Sequence, residues 1–165
     1  MAVMRQRLPF RKTTFFSKLA DGDFGAMPVD SEIISGKAVI VGAEPQLFVA
    51  DISAACDFFA RKLGFAVVFV HGEPPFYAQV KRDGARINLR CTEQPVIAAD
   101  LREREQLLSA SLTVTTPEQI NALFREFEAA GVSFFQTLKR KSWGACDFIV
   151  KDVDGNLLLF SGPAE

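Results

Sequence analysis

The feature that most constrains this chain is an internal repeat: the stretch from Pro45 to Phe160 spells one order of elements twice. In the first copy Leu47 and Val49 alternate, which predicts a strand with one face in a core. Ile52, Ala55, Phe58, Phe59 and Leu63 then recur at helical spacing, with Asp51 placed to cap the start and Gly64 the end. Three stretches, Phe65 to Val70, Phe76 to Val80 and Ala85 to Leu89, read as strands, and Asp83-Gly84 makes the last pair a tight hairpin. In the second copy Ser109 to Thr115 alternates as a strand. Pro117 to Ala130 is an amphipathic helix, with Ile120, Leu123, Phe124 and Phe127 on one face and Gly131 at its end. Val132 to Thr137, Asp147 to Lys151 and Asn156 to Phe160 follow as strands, with Asp154-Gly155 as the second hairpin turn. Val49 thus aligns with Val114, Gly64 with Gly131, and Asp83-Gly84 with Asp154-Gly155, the second helix being two residues longer. A charged helix is expected around Asp100 to Leu108, in the connection between the copies.

The expectation is one α+β domain over 43–165, made of modules at about 43–92 and 109–163, behind an extension of residues 1–42 that is partly disordered or docks on it. Strand parity divides each sheet into two faces. Leu47 and Val49, Ile87 and Leu89, Ala110, Leu112 and Val114, and Leu158 and Phe160 should lie under the helices. Glu44, Gln46, Phe48, Arg86, Asn88, Arg90, Ser109, Ser111, Leu157 and Leu159 should share the other face. If the sheet curls, that mostly polar face lines a cleft suited to a small, partly apolar ligand.

Composition removes several classes of partner. A formal charge of −1 over 165 residues offers no field for nucleic acid. No apolar run reaches the roughly 18 residues of a membrane helix, and the start has no secretory pattern. Cys56, Cys91 and Cys146 are odd in number and widely spaced, so they read as reduced thiols in a cytoplasmic protein. The first residues carry Arg5, Arg7, Arg11, Lys12 and Lys18 without an acid. That pattern reads as a poorly ordered extension, with a targeting segment or nucleic-acid arm as the alternative. Met27-Pro28 offers an alternative start, and Lys37 to Val41 a short strand or docking segment.

Trp143-Gly-Ala-Cys-Asp-Phe-Ile-Val-Lys-Asp-Val-Asp-Gly-Asn156 resembles the late W-G-x-x-x-F-x-x-x-D-x-D-G-N stretch of the vicinal oxygen chelate superfamily, glyoxalase/bleomycin-resistance type. Pro45-x-Leu-x-Val-x-Asp51, Phe58-Phe59, Leu63-Gly64-Phe65 and Phe76-Tyr77-Ala78-x-Val80-x-x-Asp83-Gly84 are similar as well. The resemblance covers Ala43 to Pro163. It implies paired βαβββ modules in an open, curled mixed sheet around a cleft, helices on the outer face, commonly in a homodimer that shares the cleft.

Position matching to metal-dependent members places their ligands at Glu44, Asn88, Ser109 and Leu159. Only Glu44 is an ordinary ligand there, whereas a catalytic divalent ion needs about three anionic or imidazole donors. The sole histidine, His71, lies off this set and reads as an exposed turn residue. Cys91 should face away from the cleft, with no base beside it. The resemblance therefore implies a metal-free, cofactor-free binding protein rather than an enzyme. Gln46, Phe48, Arg86, Asn88, Arg90, Ser109, Ser111, Trp143 and Leu159 would form its site. Trp143 and Phe48 would supply stacking surface, with Phe59 nearer the core. Arg86 and Arg90 point to an anionic ligand rather than a cationic glycopeptide. The alternatives are a lyase, isomerase or dioxygenase with an atypical metal site, such as Glu44 with Glu93, and a scaffold without a ligand.

Overall fold

The computed structural model describes residues 40–165. The basic stretch, Met27-Pro28 and Lys37 to Val39 lie outside the described residues. Ile40 and Val41 are exposed and belong to no strand.

The first module comprises β1 (Gln46–Val49), α1 (Ile52–Leu63), β2 (Ala66–His71), β3 (Tyr77–Arg82) and β4 (Ala85–Cys91). A short helix α2 (Ala99–Arg104) leads to the second, with β5 (Leu108–Thr113), α3 (Pro117–Ala129), β6 (Phe134–Arg140), β7 (Ala145–Lys151) and β8 (Leu157–Pro163). The sheets have matching orders, β1-β4-β3-β2 and β5-β8-β7-β6. In each, the first strand pairs in parallel with the last and the other pairs are antiparallel. This is the expected α+β architecture of two open βαβββ modules.

Local chemistry explains the boundaries. The Asp51 side chain accepts a hydrogen bond from Ala54 N at 2.9 Å, which satisfies a free donor in the first turn of α1. At the other end Gly64 takes the left-handed conformation with φ 68° that a side chain would resist. Thr116 and Gln119 form a capping box at the start of α3. Several strand ends differ from the sequence expectation by one to three residues, β6 for one running Phe134–Arg140 rather than Val132 to Thr137, and three differences bear on the connections. The connecting helix stops at Arg104, and Leu108 already belongs to β5. α3 has 13 residues against 12 in α1, so it is one residue longer, and Ala130 caps it before Gly131. The second hairpin is wider than Asp154-Gly155 alone, because Asp152 Oδ1 accepts from Asp154 N and Asn156 N and so shapes the whole turn.

The strand parities hold. Leu47, Val49, Ile87, Leu89, Ala110, Leu158 and Phe160 join one core with Phe59, Leu63, Ile120 and Phe127 from the helices. Phe148 lies at its centre against Phe124, Phe127, Phe134 and Phe160. Both modules contribute to this cluster, so burial of the two helical stripes joins them. No helix among the described residues is long and apolar enough to cross a membrane. The three cysteines are free, and burial pushes the Cys56 thiol up, with Asp57 adding to the effect. A thiol raised in this way is poorly nucleophilic.

Candidate functional site

The face of the first sheet turned away from the helices carries most of the expected site. Side chains opposite each other across a ladder lie on one side of the sheet, so the register sorts them into rows. Gln46, Asn88, Gln79 and Phe69 form one row, and Phe48, Arg90, Tyr77 and His71 the next.

The first row is knitted together with its charged neighbours. Gln79 Nε2 donates to Glu44 Oε2 at 3.0 Å and to Asn88 Oδ1 at 3.1 Å. Asn88 Nδ2 donates to the same Glu44 oxygen at 3.2 Å, and Arg86 Nη1 donates to Gln79 Oε1 at 3.0 Å. Arg86 Nε lies 4.0 Å from Glu44 Oε1. Gln79, only 9% exposed, is thus the hub of a cluster that joins Glu44, Arg86 and Asn88. Sequence reasoning missed it, although its place between Ala78 and Val80 on an alternating strand set it on the polar face.

The second sheet keeps the same registration, since Ser111 pairs with Leu159 as Gln46 pairs with Asn88. The ladders therefore pair Asn88 and Leu159 with equivalent residues of the two modules, whereas Glu44 precedes β1 and Ser109 lies at a register shift in β5. The chemistry differs. Ser109 Oγ accepts from the buried Arg102 at 3.0 Å and donates to Asn156 Oδ1 at 3.2 Å. Leu159 offers hydrocarbon beside Ile149. Asp147, another residue the sequence reading passed over, accepts from Gln136 Nε2 at 2.6 Å and pairs with Lys141 at 3.1 Å. Lys141 also sits 5.8 Å from the ring of Trp143, which is 70% exposed in the turn between β6 and β7.

Glu44 and Asn88 are brought together; Ser109 belongs to a different cluster, and Leu159 lies on β8 between Ser111 and Ile149. Asn156 Nδ2 donates to Phe48 O at 3.0 Å and Asp154 Oδ1 accepts from Ala50 N at 2.8 Å, which sets the Ser109 end of the second module by the C-terminal end of β1. Glu44 precedes the other end, roughly 13 Å up the strand. Burial holds the Asp152 carboxyl above its ordinary value, and hydrogen bonds from Asn156 and Asp154 N oppose that rise.

The donors do not fit a catalytic metal of the family's kind. Glu44 is committed to protein partners, Asn88 and Ser109 are neutral, and Leu159 has no donor. Among the described residues no three His, Cys, Asp or Glu side chains converge on one point. A groove of about 700 Å³ lies elsewhere, between the modules on the helix side. Pro45, Phe65, Ile87, Leu112 and Phe160, which share the parity of the core, line it, and the Arg82–Glu126 ion pair joins the two modules there. It takes in only Arg86 and Ser111 of the expected site, so it reads as a packing seam.

Residues 40–160 match the family described as Glyoxalase/Bleomycin resistance protein/Dioxygenase superfamily. Among solved structures the chain is similar to a bleomycin-binding protein from bleomycin-producing Streptomyces verticillus, complexed with copper(II)-bleomycin. Identity is 25%, coverage 78% of this chain and 99% of that one, and the TM-score 0.58. It is similar in fold to a glyoxalase/bleomycin resistance protein/dioxygenase from Alicyclobacillus acidocaldarius, at 17% identity, 74% and 91% coverage and TM-score 0.61. A bleomycin resistance determinant encoded on the transposon Tn5 shares the fold at 18% identity, 74% and 97% coverage and TM-score 0.54. No match was found among curated proteins.

Proposed function

The chain belongs to the glyoxalase/bleomycin resistance protein/dioxygenase superfamily, and from that membership we propose that it is a metal-independent small-molecule-binding protein. It acts in the cytoplasm as a homodimer, with its ligand in a cleft at the dimer interface. The observation that carries the reading is the state of the family's metal positions. The Glu44 carboxylate is taken up by Gln79, Asn88 and Arg86, Ser109 by Arg102 and Asn156, and Leu159 has nothing to offer an ion. A cleft with such a lining recognises a molecule by hydrogen bonds and apolar contact rather than by activating it on a metal. The likeness to a structure described as a bleomycin-binding protein supports a binding role. The separation of the Glu44–Asn88 pair from Ser109 supports a cleft completed by a second copy. Gln46, Phe48, Arg86, Asn88 and Arg90 would form one wall, and Ser111, Trp143 and Leu159 of the partner subunit the other.

Elemental analysis of the purified protein tests the core of this reading. Metal far below one ion per chain is expected, and a stoichiometric, tightly held ion would overturn it. Light scattering should give twice the mass of the chain; a monomer that still binds ligand refutes the shared cleft. A thermal-shift screen should find molecules that raise the melting temperature, because a ligand of the folded state alone stabilises it.

A further inference from the structure

We infer that the ligand is a planar aromatic carboxylate, its ring against the aromatic corner of the first sheet and its carboxylate on Arg90 rather than Arg86. This rests on the reading of that sheet face as the binding surface, and it adds the chemical class and the anchoring residue.

The two arginines look equivalent in sequence and are not. Arg86 donates to Gln79 at 3.0 Å and faces the Glu44 carboxylate, so its charge is opposed and part of its donor fork is in use. Arg90 lies in the second row, with its guanidinium carbon 5.3 Å from the centre of the Phe76 ring. Among the described residues no side-chain hydrogen bond or ion pair engages Arg90, His71 or Tyr77. Their contacts are aromatic instead. His71 meets Phe76 edge to face at 5.3 Å, and Tyr77 stacks on Phe69 at 6.0 Å with 22° between the rings.

Phe69 is 43% exposed and Phe76 42%, which leaves flat apolar surface beside an unopposed cation. An aromatic ring laid there removes that surface from water and gains stacking geometry. Arg90 then presents a planar fork that matches a carboxylate in two parallel hydrogen bonds. Tyr77, its register partner on β3, brings a hydroxyl on the same side. An uncharged aromatic gains only the first of these contacts, and an aliphatic acid only the second. A cation is repelled by Arg90.

The test uses the full chain and four probes: 2-naphthoate, 2-naphthamide, cyclohexanecarboxylate and 2-naphthylmethylammonium, with affinities from calorimetric titration. Naphthoate should bind at least about tenfold more tightly than the other three, the margin expected of a charge-assisted bidentate contact. Arg90→Gln should weaken naphthoate by about tenfold or more, and Arg86→Gln, which loses a wall contact but not the carboxylate anchor, by a smaller factor of about threefold. Both side chains are exposed, and circular dichroism should report an unchanged fold in each variant. Equal binding of naphthamide, or equal losses in the two variants, would overturn the assignment and leave the binding reading standing. Binding of the ammonium probe alone would do the same. Silence of all four probes would overturn the assignment, and silence in the wider thermal-shift screen as well would remove the binding reading with it.

Discussion

Asn156→Ala should be among the most damaging polar substitutions in this domain. Asn156 is 1% exposed, and its side chain serves four groups. Nδ2 donates to Asp152 Oδ2 at 2.8 Å and to Phe48 O at 3.0 Å. Oδ1 accepts from Arg102 and from Ser109 Oγ. The residue thereby joins the connecting helix, the start of β5, the β7–β8 turn and the end of β1. Truncation leaves Asp152 Oδ2 and Phe48 O without this donor, while Arg102 keeps Ser109 and Gly155 O. Hydrogen bonds to charged groups contribute about 1.5–3 kcal/mol each and neutral ones about 1 kcal/mol. With some relief from water entering the space, the loss should be about 3–5 kcal/mol, a large share of the roughly 5–15 kcal/mol of a typical domain. In urea the midpoint should fall by about 2 M at an unchanged slope. The Asn156→Ala/Arg102→Met double variant should lose less than the two single losses together, by about 1 kcal/mol. A midpoint shift below about 0.5 M, or strict additivity, would refute the idea that Asn156 holds this junction.

Other outcomes follow from the same packing. Phe148→Ala should cost about 4 kcal/mol, as it opens the cluster of four surrounding rings, while Trp143→Ala should cost under about 0.5 kcal/mol; calorimetry on both tests the contrast. Gly162→Ala should destabilise by about 1–3 kcal/mol, because its Cβ would sit 2.8 Å from Val114 Cγ2 and 3.0 Å from Ile120 Cβ; stability equal to wild type would mean that α3 shifts freely. The Asp152 carboxyl has its folded pKa raised, so its contribution is fully present below the unfolded value and fades as pH rises through the folded one. The advantage of wild type over Asp152→Asn should accordingly grow as pH falls through that window, and urea titrations giving a constant difference would argue against the burial that causes the shift.

Much of the fold was legible in the chain because its signals are local. Alternation at Leu47 and Val49, helical spacing from Ile52 to Leu63 and the stop at Gly64 each depend on neighbours a few residues away. Their recurrence in the second copy carried the module order and the matching of Asn88 with Leu159. The second hairpin moved for a reason that alternation does not carry, since the Asp152 side chain accepts from backbone groups two and four residues on and widens the turn. The site was legible in part. Glu44, Asn88 and Arg86 do meet, but parity could not reveal that Gln79 joins them or that Ser109 belongs to Arg102 and Asn156.

Composition and periodicity determined the two modules and the core faces, since residue type and spacing are properties of the chain. Only the tertiary structure decided which polar groups are already spent. Arg86 and Arg90 are two residues apart with the same chemistry, yet one faces a carboxylate and an amide across the ladder and the other a phenyl ring. Strand pairing sets that difference, because it chooses each side chain's neighbours from segments far away in the sequence.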